Sequence, residues 1–169
     1  IRAVDQNHII FIGGNSWSND FSGLTPPWDS NLVYEFHKYW SYNDTESIQW
    51  VLDMQNQHNI PLWCGETGEN SNVWYKDAMS LYETNNIGWS CWPYKRIATT
   101  VDPYSVSSNP SYEAIINFWK GEVPEPSVAS AMAGLNQLTD DILLENNTFY
   151  KDVVDAYIRQ PQVNTSIPY

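Results

Sequence analysis

Pro61-Leu62-Trp63-Cys64-Gly65-Glu66-Thr67-Gly68 is a short apolar run that ends in one carboxylate between two glycines. A run of this length after a helix-like segment reads as a buried parallel strand, and the glycines mark where its end opens into a loop. Packing does not explain Glu66. Asp and Glu are seldom buried unless paired, so a carboxylate at the end of an apolar strand needs partners, a proton or a substrate. In a barrel of alternating strands and helices, reactive side chains collect at the carboxyl ends of the strands.

Upstream of this strand, Ile48, Val51, Leu52 and Gln55 recur at helical spacing over 46–58, with Asn59 as terminator before Pro61. Residues 31–39 read as another strand whose last residues turn polar, placing His37 and Tyr39 on one face. Before it, the polar turn Asp5-Gln6-Asn7-His8 leads into an apolar run over 9–12, closed by Gly13-Gly14. The loop between these strands holds Asn15, Trp17, Trp28 and two prolines. Its length and aromatic content suit a rim over a binding cleft better than a plain connector.

Downstream, residues 72–84 repeat the helical pattern with Trp74, Ala78, Leu81 and Tyr82 on one face. Residues 87–95 form a fourth strand that Pro93 ends. Asp102-Pro103 marks a loop, and Asn109-Pro110 reads as an N-cap followed by proline at the first helical position. The helix that follows uses Tyr112, Ile115, Ile116 and Trp119, and Gly121 closes it. Four strand-helix units thus fill residues 1–121, at about 30 residues each, whereas a (β/α)8 TIM barrel needs roughly 250 residues. The expected fold is α/β, with this chain supplying about half of such a barrel.

Residues 122–169 form the second expected region. Val123-Pro124-Glu125-Pro126 is a linker, followed by two amphipathic segments, one with Leu135, Leu138, Ile142 and Leu143, the other with Val153, Val154, Tyr157 and Ile158, ended by Pro161. They read as helices packed outside the barrel or as a small accessory element. The opening Ile1-Arg2-Ala3-Val4-Asp5 resembles the end of a helix already under way, so an earlier segment of polypeptide is expected.

Eight Lys and Arg stand against 20 Asp and Glu, a formal charge of −12, which argues against nucleic acid or an anionic membrane surface as partner. No stretch is long and apolar enough to insert into a membrane, and a soluble chain is expected. The acidic balance suits a secreted, extracellular or periplasmic location. Nine Trp and eleven Tyr are many for 169 residues, and flat aromatic faces suit sugar rings, although most such residues in any domain are core. Strand alternation puts Cys64 on the side of Glu66 and Cys91 opposite Trp92, so two reduced, buried thiols are expected rather than a bridge. Asn43, Asn146 and Asn164 head Asn-x-Ser/Thr triplets that a eukaryotic secretory pathway would glycosylate. His8 and His58 read as a turn and a helix end. No metal-ligand spacing and no Gly-x-Ser-x-Gly occurs, so neither a metal, a cofactor nor a serine nucleophile is expected.

Four motifs in order carry a family resemblance: Asp5-Gln6-Asn7-His8 before Ile9-Ile10-Phe11-Ile12, Phe36-His37-Lys38-Tyr39, Gly65-Glu66-Thr67-Gly68, and Gly88-Trp89-Ser90-Cys91-Trp92-Pro93-Tyr94-Lys95. Over roughly residues 1–120 the chain resembles the C-terminal half of glycoside hydrolase family 5, cellulase-like retaining enzymes on a TIM barrel. A retaining glycosidase needs one carboxylate as nucleophile and a second carboxyl as acid, then base, roughly 5–5.5 Å apart. The resemblance implies that Glu66 is the nucleophile, with Tyr39 donating a hydrogen bond to keep it ionised. It implies that His37 lines the floor and binds a sugar hydroxyl or the acid, that Trp92 stacks on the sugar, and that Trp17, Asn15 and Lys95 are rim contacts. Each also has a purely structural use: Glu66 as a carboxylate bound to backbone N–H groups, and His37, Trp92 and Trp17 as core.

The family's acid/base glutamate lies in an Asn-Glu-Pro motif, and no Asn-Glu pair occurs in this sequence. The resemblance therefore implies that the acid lies upstream, in an N-terminal half of the same barrel, or that the chain is an inactive remnant. The implied ligand is a polysaccharide or oligosaccharide, a β-linked glucan, mannan or relative. Two other readings stand beside hydrolysis: a carbohydrate-binding relative that keeps the aromatic cleft without cleaving, and a half-barrel that closes its sheet as a homodimer.

Overall fold

The computed structural model describes residues 1–158 and divides them into two compact units, one of residues 1–93 with the chain's end from Asp155, the other of residues 94–154. The division expected between residues 121 and 122 falls inside the second unit. Pro161 and the Asn164 triplet lie outside the described residues.

Four strands build the first unit: β1 (Ile10–Gly13), β2 (Leu32–His37), β3 (Leu62–Gly68) and β4 (Gly88–Trp92). They lie side by side in chain order, every neighbouring pair parallel. The 46–58 pattern is realised as α2 (Thr45–His58), capped by the Asp44 side chain and ended by Asn59 in the left-handed conformation. Residues 72–84 become α3 (Asn72–Thr84), capped by Ser71. The long loop after β1 holds only α1 (Asn15–Ser18), a distorted turn with Ser16 and Trp17 in left-handed conformations. All four expected strands therefore lie in the first unit, with long helices after β2 and β3 and only a short turn after β1, while the helix expected after β4 falls in the second unit.

The core lies between the sheet and the two long helices. Tyr34 and Phe36 of β2 and Cys64 of β3 are buried against Ile48 and Val51 of α2 and Tyr75, Ala78 and Tyr82 of α3. Burying a side chain such as Phe36, Ile48 or Val51 contributes about 1.5–3 kcal/mol. On α3 the buried stripe runs through Tyr75, Ala78, Met79, Leu81 and Tyr82, so Ala78, Leu81 and Tyr82 are buried as expected while Trp74 is only half-buried. Only Trp74 departs from the expected face: its indole N–H donates to the carbonyl of Ser41, and Tyr75 takes the buried place.

One local irregularity decides what faces the inner side of the sheet. Phe36 is opposite Cys64 and His37 opposite Glu66, and across the other ladder Cys64 is opposite Trp89 and Thr67 opposite Cys91. β3 therefore carries one residue more than either neighbour, a β-bulge at Gly65-Glu66. Strict alternation fails there. Cys64 and Thr67 both turn to the helices, where the Thr67 and Tyr82 hydroxyls are 3.2 Å apart, and Gly65 and Glu66 both turn inward. The expectation that Cys64 shares the side of Glu66 is corrected by this bulge. Neither cysteine is in a disulfide, Cys64 being buried and Cys91 half-buried. Burial pushes the Cys64 thiol up to about 12.

In the second unit, β5 (Lys95–Ile97) pairs in parallel with β6 (Tyr104–Val106), and β6 pairs antiparallel with β7 (Thr148–Phe149). This small sheet has no counterpart among the sequence expectations. The Asn109 cap and Pro110 start α4 (Pro110–Trp119), and Gly121 follows it at positive φ. Trp119, expected on the apolar face, is exposed. α5 (Val128–Asp141) crosses α4 at Gly134, where a Cβ would stand 2.7 Å from the Ser111 and Tyr112 backbone. Asn109 Nδ2 donates to the Gly134 carbonyl over 3.0 Å, tying the cap of one helix to the other. The final helix, α6 (Lys151–Ile158), gives Tyr157 to the first unit, where its ring stacks on Tyr75 at 4.3 Å and on Trp89 at 6.0 Å. No helix among the described residues is long and apolar enough to cross a membrane.

Candidate active site

A cleft of about 550 Å³ opens over the carboxyl ends of the four parallel strands, a volume within the range of ligand sites. Its lining includes Trp17 from the loop after β1, His37 at the end of β2, Tyr39 and Trp40 beyond it, Glu66 of β3 and Trp92 at the end of β4. Parallel strands bring these positions together because each ends at the same edge of the sheet.

Glu66 stands at the floor. Tyr39 donates its hydroxyl hydrogen to Glu66 Oε2 over 3.0 Å, and His37 Nδ1 lies 3.3 Å from the same oxygen without hydrogen-bond alignment. Both contacts fall on Oε2, so Oε1 is the oxygen they leave to the cleft. The Lys38 backbone N–H donates to the Glu66 carbonyl over 3.0 Å, locking the end of β2 to β3 where the functional side chains leave the sheet. Burial and the bond to Glu66 push the Tyr39 phenol far above the ordinary tyrosine range, so it remains a donor.

Beneath this pair lies a residue that sequence reading missed. Glu35 Oε1 is 2.7 Å from His37 Nε2, and its Oε2 accepts from the Ser18 hydroxyl over 3.0 Å. Two glycines make room for it. A Cβ at Gly65 would lie 1.8 Å from Glu35 Oε1, and one at Gly13 would lie 2.7 Å from Oε2. The inner side thus carries a continuous array, Ser18 to Glu35 to His37 to Glu66 to Tyr39. In the sequence Glu35 reads as one polar position of an alternating strand, and the available signal was its spacing, two residues before His37 on the same face.

Lys38 is buried, its Nζ donating to Asn43 Oδ1 over 2.7 Å and lying 4.9 Å above the Trp74 ring. Burial lowers its pKa to about 8. Asn43 Nδ2 in turn donates to the Trp74 carbonyl over 3.0 Å. Asn15 and Lys95 are not among the cleft residues. Asn15 is exposed and pairs through its backbone with Asp20, bracing the loop, while Lys95 lies in β5 of the second unit, where Nζ donates to the Ile142 carbonyl. Asn19 lines the cleft in place of Asn15. Among the described residues no group of three or more His, Cys, Asp or Glu side chains is arranged to hold a metal ion.

Residues 1–96 match the family model of the cellulases, glycosyl hydrolase family 5. No curated protein matches the chain. Among solved structures, the cellulose synthase subunit Z (CcsZ) of Clostridioides difficile superposes with a TM-score of 0.54 at 17% identity, covering 93% of this chain and 51% of that one. Cel5A of Thermotoga maritima, in complex with cellobiose, superposes with a TM-score of 0.55 at 16% identity, covering 93% of this chain and 50% of that one. The chain spans about half the length of both, and its parallel α/β sheet is half of the TIM barrel.

Proposed function

The chain belongs to the cellulase family, glycosyl hydrolase family 5, and on that premise we propose that it forms part of an enzyme that hydrolyses β-glycosidic bonds of a polysaccharide with retention, Glu66 acting as the nucleophile. One observation carries this reading: Glu66 stands at the carboxyl end of its strand with Oε2 held by the Tyr39 hydroxyl and Oε1 left toward the cleft.

A nucleophilic carboxylate must stay ionised and aligned. The Tyr39 phenol supplies a neutral donor that favours the anion, and a bond on one oxygen directs the other at the sugar. In the first step Oε1 forms an ester to the anomeric carbon as the glycosidic C–O bond breaks and the leaving oxygen takes a proton from the acid. In the second, water attacks that carbon, the acid residue now acting as base, and Glu66 is released as a carboxylate. The acid/base carboxyl belongs, in this reading, to the other half of the barrel, encoded upstream. Trp92 and Trp17 offer faces for sugar rings at the cleft walls, and His37, fixed from below by Glu35, lines the floor with its buried Nδ1 against Glu66 Oε2. A secreted or periplasmic location follows from a polysaccharide substrate too large to enter a cell.

The test compares the complete gene product with its Glu66→Gln variant on a panel of β-glucans and mannans. Retained binding with turnover reduced at least 1,000-fold, roughly the loss typical of an essential catalytic group, supports the nucleophile. Full activity of the variant refutes it, and a complete protein that binds glycans and cleaves none establishes the carbohydrate-binding reading instead.

A further inference from the structure

Next to the cleft lies a second groove, of about 710 Å³, and the two share Trp40 and Ser41 in their walls. It runs from the loop before α2, with Thr45 at that helix's start, along the length of α3 from Ser71 to Asn85.

The lining has the chemistry of a sugar site. It offers hydroxyl and amide side chains beside three large aromatic rings, and Asp77 is its one charged residue. In a chain of net charge −12, a nearly uncharged groove favours a neutral, hydroxyl-rich ligand. Its rings are also fixed in place. Trp40 is exposed at 68% while its indole N–H donates to the Glu69 carbonyl over 3.3 Å and its ring rests on Tyr39 at 5.3 Å. Trp74 is held by its N–H on the Ser41 carbonyl and by the Lys38 ammonium beneath it. With both N–H groups satisfied internally, what the indoles can offer a ligand is their faces. Trp40 also takes a left-handed backbone conformation, φ 51°, which a non-glycine residue adopts at a cost. A large apolar ring held rigidly in solvent binds a flat apolar partner with little further loss of freedom.

We propose that this groove is a distal binding site for the sugar chain, which leaves the cleft over Trp40 and stacks again on Tyr42. The inference rests on the hydrolase reading above and extends it by assigning a preference for long chains to residues outside the cleft floor.

The experiment measures kcat/KM of the complete gene product on β-linked oligosaccharides from trimer to hexamer, for the wild type and for the Trp40→Ala, Trp40→Phe and Tyr42→Ala variants. The hexamer-to-trimer ratio is expected to fall about two- to tenfold in each alanine variant, the worth of one stacking contact, and to be largely kept by Trp40→Phe. Tyr42 is 86% exposed, so its substitution does not threaten the fold. An unchanged ratio in both alanine variants overturns the inference. Should the wild type cleave none of these oligosaccharides, the hydrolase reading fails and calorimetric titration with the hexamer decides the inference separately. Weaker binding by both alanine variants then supports it, and equal binding, or no binding by the wild type, overturns it.

Discussion

Replacing Gly65 by alanine tests the array beneath Glu66 without touching any proposed catalytic group. The new Cβ would stand 1.8 Å from Glu35 Oε1, 2.4 Å from its Cδ and 2.5 Å from its Cγ. No bond-angle adjustment absorbs an overlap of that size, so the carboxylate must leave. Departure breaks the 2.7 Å contact to His37 and the 3.0 Å bond from Ser18 and strips His37 Nε2 of its partner. Hydrogen bonds to a charged group contribute about 1.5–3 kcal/mol, and overpacking adds about 1–3 kcal/mol where nothing yields. Since Glu35 is the group that yields, the expected loss is about 2–4 kcal/mol. Urea unfolding of the complete gene product, followed by tryptophan fluorescence, measures it. The decisive comparison is a double-mutant cycle. In a Glu35→Ala background the obstacle is gone, and Gly65→Ala should then cost under about 1 kcal/mol. An equal cost in both backgrounds would show that Gly65 is constrained by something other than Glu35 and would refute the array.

Tyr39→Phe removes the hydroxyl that reaches Glu66 and nothing else, so kcat/KM should fall about 10- to 100-fold, the worth of one hydrogen bond to a charged group; a change under twofold would detach Tyr39 from the nucleophile. Lys38 titrates near 8 in the folded protein against an ordinary value of 10.5, so between these values the unfolded chain binds more protons and stability gained from this group rises with pH. The gain should be complete above about 10.5 and lost as pH falls through 8. Urea titrations of wild type and Lys38→Met across that window measure it: the difference between them should change with pH, and a constant difference would contradict the burial of the ammonium.

Much of this fold was legible because its signals are local. Asn59 and Asn109 mark a helix end and a helix start by their own backbone and side-chain chemistry, and both act as expected. Gly13-Gly14 and Gly68 close strands for reasons visible within a few residues, whereas β3 runs on through Gly65. His37, Tyr39, Glu66, Trp17 and Trp92 converge on one cleft because parallel strands in chain order align their carboxyl ends, so strand-end positions alone implied proximity. The bulge at Gly65-Glu66 was not legible, since it exists only relative to the registers of β2 and β4, and it reversed the side assigned to Cys64. Glu35 was hidden for a similar reason. Its meaning comes from Ser18, Gly13 and Gly65, which lie 17 to 30 residues away along the chain. The sheet of β5, β6 and β7 has strands of two or three residues, too short to display an alternation.

The assignment of Glu66 as nucleophile is tested most directly by trapping its ester. The complete gene product is incubated with an activated 2-deoxy-2-fluoro glycoside, which slows release of a covalent intermediate, and digested for peptide mass spectrometry. The expected result is one glycosyl adduct on the peptide containing Glu66, absent from the Glu66→Gln variant. An adduct on Glu35, Glu69 or any other carboxylate, or turnover that proceeds with inversion and leaves no adduct, would contradict it.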